Sequence, residues 1–178
     1  MQQTQMGCRQ ADIPEKVKIM TDAKSFVLRR ALPSDATSIS ELLHEIGYLR
    51  FINEETLPET VSRISAAIVS LSELADHVLL VAAEEGSDII LGYAAAHYYA
   101  NMLIGNEGYV SELYLRPSAT NKGIGSKLLA ALEDEARSRK CRRLRLTNWR
   151  NRESYQRGFY AKRGWQENGD AAEFVRLL

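Results

Sequence analysis

The chain has 178 residues, 45% of them hydrophobic and 26% charged, which suits one globular domain that needs neither disulfide nor metal to hold a core. Its 23 Lys and Arg balance its 23 Asp and Glu, which argues against a dedicated nucleic-acid binder. Cys8 and Cys141 form no CxxC pair, the N-terminal residues lack the apolar core of a signal peptide, and no apolar run approaches a membrane span, so a soluble cytoplasmic protein without membrane association is expected.

Residues 1–24 show no period, with Pro14 and several charges interrupting any pattern, and are expected to form a flexible arm. The rest, 25–178, reads as a single domain. Phe26 to Arg30 is a short strand candidate, and Leu32-Pro33-Ser34-Asp35 is a turn that caps a helix carrying Ile39, Leu42, Leu43 and Ile46 and ending near Gly47. A second helix is expected from about Pro58 to Leu74, with Val61, Ile64, Ile68 and Leu71 as its apolar stripe. His77 to Ala83 is a nearly continuous apolar run, as in a buried strand. Glu84 to Asp88 is a turn, and Ile89 to Tyr99 completes a hairpin. Gly108 to Leu115 is a third strand of this group. A loop over Pro117 to Lys122 precedes a helix from about Gly123 to Lys140, whose buried stripe is Ile124, Leu128, Leu129, Leu132 and Ala136. Arg142 to Thr147 alternates charged and apolar residues, a strand with one wet face. A helix from about Ser154 to Arg163 ends at Gly164, in the position that favours a left-handed cap, and Glu173 to Leu178 is a last strand. The order β-α-α-β-β-β-α-β-α-β implies an α/β protein with a mixed sheet flanked by helices.

The stretch Leu113-Tyr114-Leu115-Arg116-Pro117-Ser118-Ala119-Thr120-Asn121-Lys122-Gly123-Ile124-Gly125-Ser126 leads a strand through a proline turn into a glycine-rich helix start. The first turn of a helix has amide N–H groups without helical partners, and the dipole adds positive charge there. Glycines remove the β-carbons that would hold a phosphate off the backbone, so a pyrophosphate fits the amides of Asn121, Lys122, Gly123, Ile124, Gly125 and Ser126. A Rossmann fingerprint would need glycine where Leu128 stands. A P-loop would need Lys directly after the last glycine, whereas Lys122 precedes Gly123 and Ser126 follows Gly125. Taken alone, the loop is equally a helix that begins with glycines for a tight turn.

Thr120-Asn121-Lys122-Gly123-Ile124-Gly125 resembles the central coenzyme A motif of the GCN5-related N-acetyltransferases (GNATs), (Arg or Gln)-x-x-Gly-x-(Gly or Ala), with Thr120 as the departure. Ser154 to Trp165, with Phe159-Tyr160 and Gly164-Trp165, resembles the family's late helix. The resemblance spans roughly residues 26–178. It implies the family's fold, a mixed central sheet flanked by helices and splayed at the middle strands. It also implies transfer of an acetyl group from acetyl-CoA to a primary amine by direct attack in a ternary complex. On this resemblance Leu113, Tyr114 and Leu115 pair with the pantetheine arm, Tyr160 is the general acid, and Glu112 is a general base if strand alternation turns it toward the site. Asn151, two residues early against the family's pattern, is a further coenzyme contact. Tyr48, Arg50, Phe51, Tyr98, Tyr99 and Met102 fall in segments that line the acceptor pocket in relatives.

The balanced charge favours neither a protein nor a small-molecule acceptor strongly, and a small-molecule amine is the expectation. Cys141, where a strand begins, reads as a small buried hydrophobe rather than an acyl-carrying nucleophile, and the Arg137–Arg145 cluster reads as a solvated basic face. His44, His77 and His97 carry no metal-ligand spacing, so no metal is expected. A homodimer through the last strand is compatible with the residues. The alternative is a non-catalytic acyl-CoA sensor or interaction module of the same fold, which Thr120 keeps open.

Overall fold

The strand-forming segments of the chain pair into one open six-stranded sheet in the order β1-β2-β3-β4-β5-β6. The computed structural model describes residues 17–19 and 25–176, so most of the expected N-terminal arm, and Cys8 with it, lies outside the described residues. Within that segment Val17–Ile19 forms β1, antiparallel to β2 (Phe26–Arg30). β3 (His77–Glu84), β4 (Ile90–Asn101) and β5 (Gly105–Leu115) continue antiparallel, and β6 (Arg143–Leu146) adds in parallel to β5, giving a mixed sheet.

The helices cover both faces. α1 (Ala36–Ile46), the one-turn α2 (Arg50–Asn53) and α3 (Leu57–Ser72) bury Ile39, Leu42, Leu43, Ile52 and Ile68 against Val81, Ala83, Ile90 and Tyr93 of the sheet. α4 (Ile124–Ser138) lies on the opposite face, where Leu128, Leu129 and Leu132 are buried and the Tyr98 hydroxyl donates to the Leu132 carbonyl at 3.0 Å. Burying each such leucine stabilises the fold by about 1.5–3 kcal/mol.

Local chemistry sets the boundaries. Asp35 closes its turn by accepting from the Leu32 amide at 2.7 Å and pairs with the Arg29 fork at 2.7 Å, which fastens the entry of α1 to β2. Gly47 (φ 73°) ends α1 in the left-handed region. α3 begins at Thr56, whose amide donates to Glu59 at 2.7 Å. α4 ends with Lys140 at φ 57°, its amide bonded to Arg137 O and that of Cys141 to Ala136 O. These are the paired bonds of a Schellman motif on a non-glycine residue.

One irregularity in β5 matters for everything downstream. Ala95 faces Glu112 but Ala96 faces Val110, leaving Ser111 as an extra, unopposed residue whose hydroxyl donates to Ala95 O at 3.3 Å. This is a β-bulge, and it reverses the facing of the strand beyond it. Val110 lies on the α4 face, whereas Glu112 and Tyr114 share the α1/α3 face with Tyr93. The same strand pairs with β6 only over Glu107–Val110. Among the described residues no strand pairs with 111–115 on that side, so the sheet opens there.

Arg116 anchors the end of β5. Its side chain is buried, with Nε donating to Ile90 O at 2.8 Å and Nη2 to Ser38 O and Ser38 Oγ at 3.0 Å. Nη2 also reaches Glu41 at 3.1 Å, and Nη1 pairs with Glu45.

Residues from Thr147 onward form a second compact unit. The expected helix over Ser154–Arg163 is broken: α5 covers Glu153–Gln156 and a single 3-10 turn covers Ala161–Arg163. Gly158 (φ 64°) is the cause, since its amide bonds Tyr155 O and that of Phe159 bonds Ser154 O, a Schellman stop in mid-segment. Gly164 (φ 82°) does take the left-handed cap. Glu173–Arg176, expected as strand, has no regular structure, and residues 177–178 lie outside the described residues.

Two outcomes follow for stability. A β-carbon on Gly108 would sit 2.5 Å from Leu144 Cδ2 and 2.7 Å from the Tyr98 ring, and the hydrogen bond to Leu132 keeps that ring from yielding. Gly108→Ala is therefore expected to cost about 1–3 kcal/mol, read as a lower urea midpoint with unchanged slope; an unchanged midpoint refutes the close packing. Arg116→Met strands the Ser38 and Ile90 acceptors and is expected to cost about 2–4 kcal/mol in the same measurement. A loss under about 0.5 kcal/mol would show that the anchor contributes nothing to stability.

Candidate active site

The glycine-led loop folds as a tight staircase. Pro117–Ala119 makes a 3-10 turn, and the Thr120 hydroxyl donates back to Pro117 O at 2.9 Å. Asn121 (φ 60°) and Gly123 (φ 78°) both take the left-handed conformation, and Gly123 is the N-cap of α4. The first i→i−4 bond of the helix runs from the Lys127 amide to Gly123 O at 3.1 Å. The amides of Ile124 and Gly125 precede it and point along the axis toward the loop. A β-carbon built on Gly123 meets nothing within 4 Å, so the helix tip faces open space. Asn121 and Lys122 are exposed, whereas Ile124 and Gly125 are buried and anchor the turn.

A cavity of about 400 Å³ borders this loop, lined by Glu41, Glu45, Glu84, Arg116, Ser118 and Lys122 among others. Three carboxylates face it, with Arg116 spent on two of them and Lys122 as the remaining cation, so it is a poorer seat for a polyphosphate. The amide-ended tip of α4 does the opposite.

Leu113, Tyr114 and Leu115 pair with β4 through Ala94, Tyr93 and Gly92, and their other edge is the opened one. Glu112 precedes them, half-buried, and accepts a hydrogen bond from the Tyr93 hydroxyl at 2.5 Å. Tyr93 is buried; burial first and the Glu112 charge second hold its phenol well above the usual range, so it remains a donor. Its ring lies 5.8 Å from that of Tyr114. Nearby on α3, Arg63 is bidentate to Glu55 (2.7 and 2.8 Å) and lies 5.9 Å from the ring of Phe51.

The segments expected to line an acceptor pocket divide. Tyr48, Arg50 and Phe51 are exposed around α2. Tyr98 instead points into the α4 core, and Met102 stands 97% exposed at the β4–β5 hairpin tip. Tyr99 donates to Glu107 at 2.5 Å, and Arg143 and Arg145 pair with the same carboxylate. Glu107 is fully buried; burial works to raise its pKa, but the Tyr99 hydroxyl and the two guanidiniums outweigh it and hold it below the usual range. The basic cluster is thus only partly a solvated face, because Arg139 is also buried, bonded to Glu135 at 2.6 Å and stacked 4.8 Å over the Tyr98 ring. Sequence reasoning missed Tyr93 and Arg116. A Tyr in a hydrophobic strand and an Arg before a proline carry no spacing signal.

Tyr160 and Asn151 belong to the second unit. Tyr160 is half-buried between Phe159 (ring centroids 4.9 Å, edge-on) and Trp165 (5.9 Å). Arg163 covers the other ring of the pair, 3.9 Å over Phe159. Asn151 is exposed in the turn before α5. Cys141 is half-buried at the start of β6. Among the described residues no group of His, Cys, Asp or Glu could hold a metal ion, and no helix is long and apolar enough to cross a membrane.

Solved structures share this architecture. A transcriptional regulator from Bacillus halodurans superposes with a TM-score of 0.72 at 18% identity, covering 85% of this chain and 99% of its own. Glucosamine-6-phosphate N-acetyltransferase from Arabidopsis thaliana gives 0.64 at 23% identity, covering 84% and 97%. An acetyltransferase from Trypanosoma brucei gives 0.65 at 22%, covering 84% and 98%. At such identities these matches speak for the fold alone. No curated protein matches the chain by sequence. The family assignment comes from residues 44–165, which match the acetyltransferase (GNAT) family and take in the glycine-led helix, Glu112 and Tyr160. With about two thirds of its length so matched, the chain belongs to the GNAT acetyltransferase family.

Proposed function

We propose that the protein is an acetyl-CoA-dependent N-acetyltransferase acting on a small primary amine by direct attack in a ternary complex. The observation that carries this reading is the open, amide-ended tip of α4 at Gly123, reached from the unpaired edge of β5. Acetyl-CoA supplies the acyl group as a thioester whose sulfur is the leaving group. The amides from Asn121 to Ser126 bind its diphosphate, and the free edge of Leu113–Leu115 bonds its amide-bearing arm.

Glu112 takes a proton from the incoming ammonium, which frees the nitrogen lone pair for attack. The nitrogen adds to the thioester carbonyl, and the C–S bond breaks as the tetrahedral adduct collapses. The second proton shed by the nitrogen restores the phenol of Tyr160 through solvent, after Tyr160 delivers its own proton to the departing sulfur. A phenol of pKa about 10 facing a thiol of about 8.5 makes that transfer slightly uphill, so it works as a strong hydrogen bond completed late. The half-exposed carboxylate, together with the exposed rings of Tyr48 and Phe51, favours a cationic amine on a compact carrier over an extended protein chain.

One observation favours a second reading. Thr120 spends its hydroxyl on Pro117 O, whereas the family's Arg or Gln would reach for the coenzyme. Weaker coenzyme binding without turnover would make the protein an acyl-CoA sensor.

The purified protein, given acetyl-CoA and a panel of spermidine, tyramine, glucosamine 6-phosphate, lysine and an alanyl peptide, is expected to release free thiol with at least one amine. Calorimetric binding of acetyl-CoA with no thiol release across the panel would favour the sensor instead. Gly123→Ala is expected to cost about 1 kcal/mol of stability from its left-handed φ and to raise the Kd for CoA about tenfold; unchanged affinity would remove the cradle from the reading. Tyr160→Phe is expected to lower kcat about a hundredfold with CoA affinity kept within about twofold. Full activity in that variant at every pH would discard the acid assignment.

A further inference from the structure

We infer that Tyr93 is a positioning residue for acetyl transfer: from β4 its hydroxyl holds one oxygen of the Glu112 carboxylate and leaves the other oxygen to receive the proton of the acceptor amine. The inference rests on the reading of Glu112 as the base, and it goes beyond that reading by assigning what aims the base.

The argument begins with the bulge. Were the strand to run through Ser111 with regular alternation, Glu112 would share the α4 face with Val110 and stand among apolar side chains. With the bulge, Glu112 lies opposite Ala95, whose single methyl offers the carboxylate no polar partner. Tyr93 and His97 are its diagonal neighbours on β4, and of these Tyr93 makes the bond, at 2.5 Å to Oε2. A carboxylate with only an alanine opposite has several open rotamers, and a base that wanders among them is within reach of its proton for only part of the time. The Tyr93 ring cannot wander, because it is buried in the core cluster of α1, α3 and β4.

The surrounding groups do not take over this task. On α3, Arg63 commits Nε and Nη2 to Glu55. Tyr114 flanks the Tyr93 ring from β5. Farther along the same face, His97 stacks on His77 and Tyr99 and meets Tyr109 at 5.4 Å. Burial, with the neighbouring His77 adding to it, pushes His97 below its ordinary pKa, so it contributes little positive charge near neutrality. The Tyr93 phenol, held protonated, donates at every working pH.

A double-mutant cycle on the full chain tests this, using acetyl-CoA and the best acceptor of the amine panel. Tyr93→Phe keeps the buried ring and removes only the hydroxyl. It is expected to lower kcat about tenfold while the KM for acetyl-CoA moves less than about twofold. Placed on Glu112→Gln, which itself lowers kcat, it is expected to change nothing further, because there is no base left to aim. A merely structural role would give the same fractional loss in both backgrounds, and that result overturns the inference. A crystal structure of the Tyr93→Phe protein supplies a readout independent of turnover. Glu112 is expected in more than one rotamer, and a carboxylate that keeps its single position refutes the positioning role. Full activity in Glu112→Gln would instead discard the base, a failure distinguishable from the first.

Discussion

The guanidinium of Arg116 is where three elements of the first compact unit meet. It reaches Ser38 in α1, the carbonyl of Ile90 at the start of β4, and its own strand end, from which the glycine-led loop departs. Burying a cation is unfavourable unless its donors find acceptors, and here all three nitrogens do. Glu41 and Glu45 are each close to half exposed, so their ion pairs contribute modestly. The main-chain and serine acceptors do the holding. The loop therefore starts from a fixed origin, which lets Asn121 and Gly123 sit in the left-handed region and aim the amides of α4 outward.

The second constraint is the division of β5 into two halves with different duties. Up to Val110 the strand is an interior element, paired on both sides and packed under α4. Past Ser111 it has one open edge and turns its charged residue to the other face. A regular strand could not do both, because continuous pairing with β6 would consume the edge and unbroken alternation would bury Glu112. The opening of the sheet and the orientation of the carboxylate thus begin at one place, the extra residue Ser111.

Much of this architecture could be read from the residues, and the limits of that reading have physical reasons. α1, α3 and α4 stand out because a 3.6-residue apolar period persists over three or more turns. β4 and β5 extend farther than their apolar patterns suggest, to Asn101 and from Gly105, because the Asn101 side chain accepts from the Leu103 and Ile104 amides and closes the turn between them. α2 is too short to have a period, and β1 has only three residues. The late helix was misjudged as continuous although Gly158 marks its interruption. Glycine in a helical pattern can be tolerated or can stop the helix, and only the Schellman bonds of Tyr155 and Ser154 decide. For the candidate site, the left-handed turn into α4 was legible from Gly123, since backbone conformation limits residue choice there. The facing of Glu112 was not, because a bulge leaves alternation intact on each side and hides in the join.

That join has a consequence for how such a strand tolerates change in length. Removing Ser111 would leave a sequence that still looks like good sheet, with its pairing to β4 more regular than before. Val110 and Glu112 would then be adjacent, and alternation alone would keep them on opposite faces, so the carboxylate would stay across from Ala95. A one-codon deletion at this spot therefore spares the facing of Glu112, whereas one within 113–115 would shift the strand end against the Arg116 anchor.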